Sequence, residues 1–242
     1  MSGNFVPGER FPKVVENRIK EWQDSAKHEP AHLSGGTEID YITISREVGS
    51  GGAEVAKILS ELMGWGHYDK KILDFMAENF GVHQDVLQTV DEKTRGWIQD
   101  TMSIFFSGKS SRHMDQYSYY KHLVEALLVI AKHGRAIIVG RGAGHVLPRK
   151  RGLSVRVTAP FELRSQRYAR ENNISSEKAI IEVKKADKEQ QKFIKSFLYK
   201  DAFDAKYFDL VCNTEKLAPR AVAKLIWRAF DLRVSGEQED QE

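Results

Sequence analysis

The chemistry of this chain starts at Gly49-Ser50-Gly51-Gly52-Ala53, set between an apolar run, Tyr41-Ile42-Thr43-Ile44, and a helical pattern. Backbone N–H groups presented by such a turn at a helix N-terminus form an anion nest, aided by the helix dipole. The usual phosphate-binding loop of this design ends in Gly-Lys followed by Ser or Thr. Here Gly51 is followed by Gly52 and Ala53, so the ammonium and the metal-binding hydroxyl are both missing. The backbone of residues 49–53 can still hold phosphate, but moving a phosphoryl group needs a cation from elsewhere. Arg46, directly after the apolar run, is the first candidate, because its planar fork suits phosphate oxygens. For Mg2+ the oxygens at hand are Ser50 and Asp69, the latter also placed to cap the following helix.

In open parallel sheets, ligands bind beyond the carboxyl ends of the strands. The segment after "AIIVG" supplies Arg141, Gly142 and Gly144; the helix after "LSVRVTA" supplies Arg164, Arg167 and Arg170; Lys70 and Lys71 follow Asp69. Residues 141–170 hold eight basic residues against one acid, Glu162, although the whole chain is only +3. Such a concentration of charge suits a multiply charged anion. Nucleic acid is not the expected partner, because no aromatic-interleaved or motif signature of a nucleic-acid module is present.

These groups need a scaffold, and the apolar pattern describes one. Buried-strand runs occur at "YITIS", "AIIVG", "LSVRVTA" and "FDLVCNT", with a brief strand at "GWGHYD". Helical stripes separate them: Val55, Ile58, Leu59 and Leu62; the broad apolar face of "YYKHLVEALLVIAKHG", ended by Gly134; and Val222, Leu225, Ile226 and Ala229. Alternating strands and helices without tight hairpin signals predict an α/β fold on a parallel sheet. Residues 1–38 form an extension and linker, with a helix in "FPKVVENRIKEWQDSAKH" carrying Val14, Ile19 and Trp22, and turn residues in "EPAHLSGGTEID". Residues 39–234 form the main domain, and 235–242 an acidic tail taken to be disordered. Residues 82–116 are polar and mixed, with short helices expected.

With 41% hydrophobic residues the chain can bury a real core, and its one cysteine, Cys212, excludes an intramolecular disulfide. Cys212 is expected as a buried strand thiol. No apolar run approaches the roughly 18 residues of a membrane span, and no signal-peptide core is present, so a cytoplasmic setting is expected.

The stretch "ITISREVGSGGAEVAKILSELMGW", with "YDKKIL" and "IIVGRGAG", resembles the cytidylate-kinase-like family, relatives of the nucleoside monophosphate kinases, over roughly residues 40–215. The family pattern "ISR-x-x-GSGG" makes the missing lysine a subfamily trait. The resemblance implies a P-loop NTPase-type three-layer α/β fold with a central parallel sheet, a nucleoside-monophosphate (NMP)-binding insertion at about 68–116 and a helical lid at about 164–200. It implies ATP and Mg2+ as cofactors and nucleotides as substrates. Gly49, Ser50, Gly51, Gly52 and Ala53 would bind the ATP phosphates, Arg141 and Asp69 the monophosphate side, and Arg46, Arg164 and Arg167 would serve catalysis, with Ser50 as a metal ligand. Gly142 replaces the acid of "GRDMG", and Gln190 stands where a lid arginine is expected. His67 and His145 are expected to be structural, because a phosphate acceptor needs no strong base. Three functions stay open: an ATP-dependent nucleoside monophosphate kinase, with CMP the first acceptor; a non-catalytic nucleotide-binding regulator or scaffold; and a kinase of another phosphorylated small molecule. Any protein partner of the N-terminal helix is undetermined.

Overall fold

The computed structural model describes residues 11–25, 40–106, 114–198 and 204–235. The linker at 26–39 and the acidic tail after Ser235 fall outside the described residues. Two compact units emerge: Met1–Ser34 with Lys71–His133, and Gly35–Lys70 with Gly134–Glu242.

The second unit holds the sheet. Strands β1 (Tyr41–Arg46), β2 (Gly66–Tyr68), β3 (Ala136–Val139), β4 (Gly152–Thr158) and β5 (Leu210–Asn213) stand in the order β2-β3-β1-β4-β5. Every pairing is parallel. Burial on both faces explains why β3 reads as a continuous apolar run. β4 alternates Leu153, Val155 and Val157 with Ser154, Arg156 and Thr158, yet is buried on both faces, with Arg156 paired to Glu47. Ile42, Ile44, Ile137, Val139, Leu153, Val155 and Val157 form one core with helices α2 (Gly52–Met63) and α10 (Pro219–Ser235). Those two helices bury Val55, Ala56 and Leu59 on one and Val222, Ala223 and Ile226 on the other. Two stripe residues fall outside the expected faces: Leu62 is 42% and Leu225 51% exposed. The small side chains Ala56 and Ala223 take the buried positions instead, at a place where α2 and α10 pack against each other. Cys212 lies on β5, partly buried, and burial pushes its thiol above the usual range.

The first unit is helical. It comprises α1 (Phe11–Ser25), all of α3 (Lys70–Glu78) beyond its first residue, α4 (Phe80–Gln88), α5 (Glu92–Phe106) and α6 (Met114–His133). The polar, mixed stretch 82–116 thus forms α4, α5 and the start of α6, with residues 107–113 outside the described set. Leu123, Val124, Leu127, Leu128 and Ile130 of α6 are completely buried, as its broad apolar face requires. The N-terminal helix belongs to this unit rather than standing apart from it. Its Val15, Ile19 and Trp22 are buried at i, i+4 and i+7.

His133, in the last turn of α6, stacks on Trp22 with ring centroids 4.5 Å apart and planes 4° from parallel. It also shares a 2.8 Å hydrogen bond with the Thr89 hydroxyl. A helix C-terminus favours a cation by about 0.3–1 kcal/mol, but burial, with the neighbouring Lys132 charge, outweighs it and pushes the imidazole from 6.5 down to about 4. The folded chain therefore binds fewer protons here than the unfolded chain between those two values. The stability this provides is complete above pH 6.5 and is lost as the pH falls toward 4. Acidification from pH 7 to 4.5 should remove about 2–3 kcal/mol through this residue. His133→Gln should flatten that part of the pH dependence in urea unfolding; identical slopes for variant and parent would refute it.

Candidate nucleotide-phosphate site

The glycine turn is formed at the carboxyl end of β1, the central strand of the sheet. Gly49 and Gly51 both have φ of 76°, a left-handed conformation open chiefly to glycine. A Cβ on Gly49 would lie 2.3 Å from the Arg164 carbonyl oxygen, so this position is closed to other residues twice over. Gly51, the N-cap of α2, brings no capping side chain; among the first-turn N–H groups that an anion site uses, that of Gly52 makes a long 3.4 Å bond to Ser50 Oγ.

Ser50 is completely buried, and its hydroxyl donates to the Glu47 carbonyl at 2.7 Å. The oxygen nominated for Mg2+ is thus turned into the loop, where it braces the turn. The same oxygen accepts from the Gly52 N–H at 3.4 Å, so the hydroxyl links two backbone groups of the turn. Ala53 offers no oxygen beyond its backbone.

Arg46 takes up the space that a longer residue 52 would need. A Cβ on Gly52 would lie 2.4 Å from Arg46 Cβ, and a Cβ on Gly140 would lie 2.7 Å from one terminal guanidinium nitrogen. The side chain therefore passes close to two glycine backbones, with its Cβ beside Gly52 and its guanidinium beside Gly140. Burial works against the Arg46 charge, Asp69 supports it and Arg141 opposes it. An arginine keeps its proton under such pressure. Asp69 directly precedes α3, and the three groups share one electrostatic neighbourhood.

Residues 140–142 form a second unusual turn. Gly140, Arg141 and Gly142 have φ of 81°, 50° and 72°, three successive left-handed residues. Arg141, with a Cβ, bears real strain there, a feature that clusters at functional sites. Its guanidinium lies over the Phe193 ring, 5.4 Å from the centroid. A side chain at Gly142 would be strained by its left-handed backbone, and a Cβ 2.8 Å from Leu198 Cδ1 of helix α9 (Ser176–Leu198) would require that leucine to shift. A cleft of about 220 Å³ opens among these parts, lined by Arg46, Lys70, Arg141, Glu189, Gln190 and Phe193 among others. That volume suits phosphate groups; whole drug-sized ligands occupy about 300–1,000 Å³.

The lid-side arginines are placed differently. Arg164, on α8 (Phe161–Asn172), is 5% exposed and fully engaged. Its two terminal nitrogens donate to the two Asp187 carboxylate oxygens at 3.0 and 2.9 Å, one also to the Val48 carbonyl at 3.2 Å, and Nε to the Ala159 carbonyl at 3.1 Å. Glu47 lies 3.5 Å from Nε while accepting from Arg156 at 2.8 Å and from the Thr158 hydroxyl at 2.5 Å. Arg164 is thus a clamp behind the glycine turn. Arg167 donates to the Thr214 hydroxyl at 2.8 Å and to its carbonyl at 2.9 Å, and Thr214 in turn donates to the Ser50 carbonyl at 2.6 Å. Its guanidinium lies 3.9 Å from where a Cβ on Gly51 would be, beside the turn itself.

Of the residues singled out by sequence, Arg46, Lys70, Arg141, Gly142, Gly144, His145 and Gln190 line the cleft, whereas residues 49–53, Arg164 and Arg167 are not among its lining residues; Asp69 bears on Arg46. Glu47, Asp187 and Thr214, which hold the arginines, carry no local sequence signal for that role. His67 is held below its ordinary range, mainly by burial, against the pull of Asp69. His145 packs edge-on against Tyr207 and Phe208 with centroids 5.1 and 5.7 Å apart.

A parallel sheet with a glycine turn leading from its central strand into a helix, and arginines gathered at the carboxyl ends, defines an α/β protein of the P-loop type. The sequence model of the Cytidylate kinase-like family matches residues 41–216, and the chain belongs to that family. Cytidylate kinase of Pyrococcus horikoshii is 27% identical over 191 residues, covering 78% of this chain and 88% of the relative. Cytidylate kinase of Thermococcus sibiricus is 28% identical over 191 residues, covering 78% and 87%. Among solved structures, an uncharacterized protein from Eubacterium ventriosum has the same fold, with a TM-score of 0.54 at 18% identity, covering 79% of this chain and 98% of that one.

Proposed function

We propose that the protein is a phosphotransferase that moves the γ-phosphate of ATP to a nucleoside monophosphate, with CMP the first acceptor to try. One observation carries this reading above the others: the Arg46 side chain lies alongside Gly52, the place of the absent lysine, and lines the same cleft as Arg141. The names of the relatives support a kinase.

In this mechanism the backbone of residues 49–53 cradles the ATP phosphates, and Arg46 compensates the charge that builds on the γ-phosphoryl group. Arg141 and Lys70 hold the acceptor's phosphate, whose oxygen attacks γ-phosphorus in line as the bond to the β-phosphate oxygen breaks. ADP and a nucleoside diphosphate leave. A phosphate acceptor is already anionic, so no general base is required. Arg167 and Thr214 fix the glycine turn, while Arg164 holds α8 and α9 behind it. Mg2+ bound with ATP would supply neutralisation of the phosphate charge, and Asp69 would be the carboxylate to hold it, because Mg2+ commonly takes one or two carboxylates and otherwise phosphates and water.

A second reading, a non-catalytic nucleotide binder, draws support from the inward-turned Ser50 hydroxyl and from Gln190 in the cleft wall. Purified protein incubated with γ-labelled ATP, Mg2+ and each nucleoside monophosphate distinguishes the two. Labelled CDP, lost in Arg141→Ala, is the expected result. ATP binding without a labelled product from any acceptor would establish the second reading. A labelled product formed only with some other phosphorylated small molecule would keep the kinase and change its substrate.

A further inference from the structure

The helical unit carries a cluster that the phosphate chemistry does not use. His83 projects from α4, and His122 and Glu125 from α6, where their i, i+3 spacing puts them on one face. His83 is 3% and Glu125 8% exposed. His83 Nε2 and Glu125 Oε2 are 2.8 Å apart, and the His83 and His122 rings stack with centroids at 4.1 Å and planes 29° apart. One ligand-type atom from each of the three residues lies within 4.8 Å of the other two.

Two details separate this trio from an ordinary buried polar contact. His122 Nδ1 is 3.1 Å from the Ala77 carbonyl oxygen. Donation to that carbonyl fixes the Nδ1–H tautomer and puts the lone pair on Nε2, the way metal-bound imidazoles are commonly oriented. His83 Nδ1 is buried without a hydrogen-bond partner among the described residues, a costly state for a nearly inaccessible ring.

We propose that His83, His122 and Glu125 form a site for a divalent transition metal, best suited to Zn2+, that ties α4 to α6. Two imidazoles and one carboxylate are a known zinc donor set with a fourth position left for water. Imidazole donors disfavour Mg2+ and Ca2+, which prefer oxygen. Bonds of about 2.0–2.2 Å bring tetrahedral ligands to roughly 3.3–3.5 Å from one another, so a separation at the 4.8 Å limit must close by about 1.5 Å. Side-chain rotation provides this, and the metal takes the place of the His83–Glu125 hydrogen bond.

The test uses untagged full-length protein freed of metal by chelator, titrated with Co2+ and followed by its visible ligand-field bands, then with Zn2+ in competition. Saturation at about one equivalent and a higher thermal midpoint with Zn2+ are expected. Glu125→Gln, which still accepts from His83, and His122→Gln should each weaken binding at least roughly tenfold with far-ultraviolet circular dichroism unchanged. Absence of a saturable Co2+ spectrum in the parent protein would overturn the proposal and leave a metal-free polar contact. So would binding of equal strength in both variants, which would place the metal elsewhere.

Discussion

Arg46→Ala is expected to reduce kcat for nucleoside diphosphate formation by roughly 10³-fold or more, the order contributed by a single arginine acting on a transferring phosphoryl group. ATP binding should survive better than turnover, because the backbone of the glycine turn remains. The stronger test restores the lysine. In Gly52→Lys alone, the new Cβ lies 2.4 Å from Arg46 Cβ and 3.2 Å from Val157 Cβ. The first of these contacts is between atoms fixed to backbone, so neither can rotate away. That variant should be destabilised and inactive. Arg46→Gly with Gly52→Lys removes the obstructing stem and places an ammonium where other phosphate-binding loops have one. The double variant should exceed both single variants in activity, measured with labelled ATP and checked by circular dichroism. If Gly52→Lys folds as well as the parent, or Arg46→Ala turns over normally, the exchange of cations is wrong.

That exchange was half legible in the sequence. The glycine turn and Arg46 can be read directly, because strand, turn and helix follow one another within about twenty residues and each leaves a local pattern. Short runs rich in Val and Ile likewise announced the strands, continuous in β3 and alternating with polar residues in β4. What the sequence could not tell is that Arg46 and Gly52 contend for one volume, a fact of packing. The carboxylates are a harder case. Glu47 stands beside a conspicuous arginine yet pairs with Arg156 and Thr158, and Asp187 meets Arg164 from 23 residues away. Ion pairs across a fold obey no period, so an arginine-rich helix reads the same whether it faces a ligand or its own carboxylates. The helical unit was opaque for a related reason. His122 and Glu125 show their spacing, but His83 reaches them only through the packing of α4 on α6.

Arg164 separates the two meanings of an arginine-rich lid. Arg164→Met removes donors from Asp187, Val48 and Ala159 together and withdraws positive charge from Glu47. Breaking a buried pair by deleting one partner costs about 3–5 kcal/mol, since the remaining charge stays desolvated. The side chain of Asp187 is 24% exposed and that of Glu47 13%, so water recovers part of the loss and the lower end of that range is expected. A fall of about 3 kcal/mol in urea unfolding would identify the clamp. Asp187→Asn should cost less, and combined with Arg164→Met its effect should be smaller than the sum, as groups sharing one contact require. Activity should fall with folding, because the Arg164 backbone and guanidinium both border the Val48–Gly49 segment. The opposite pattern, full stability with kcat lost, would mean that Arg164 leaves Asp187 to meet the phosphates during turnover, as the sequence resemblance alone implies. Stability and turnover measured on the same variant therefore decide whether the charge of this helix is spent on the ligand or on holding the loop that binds it.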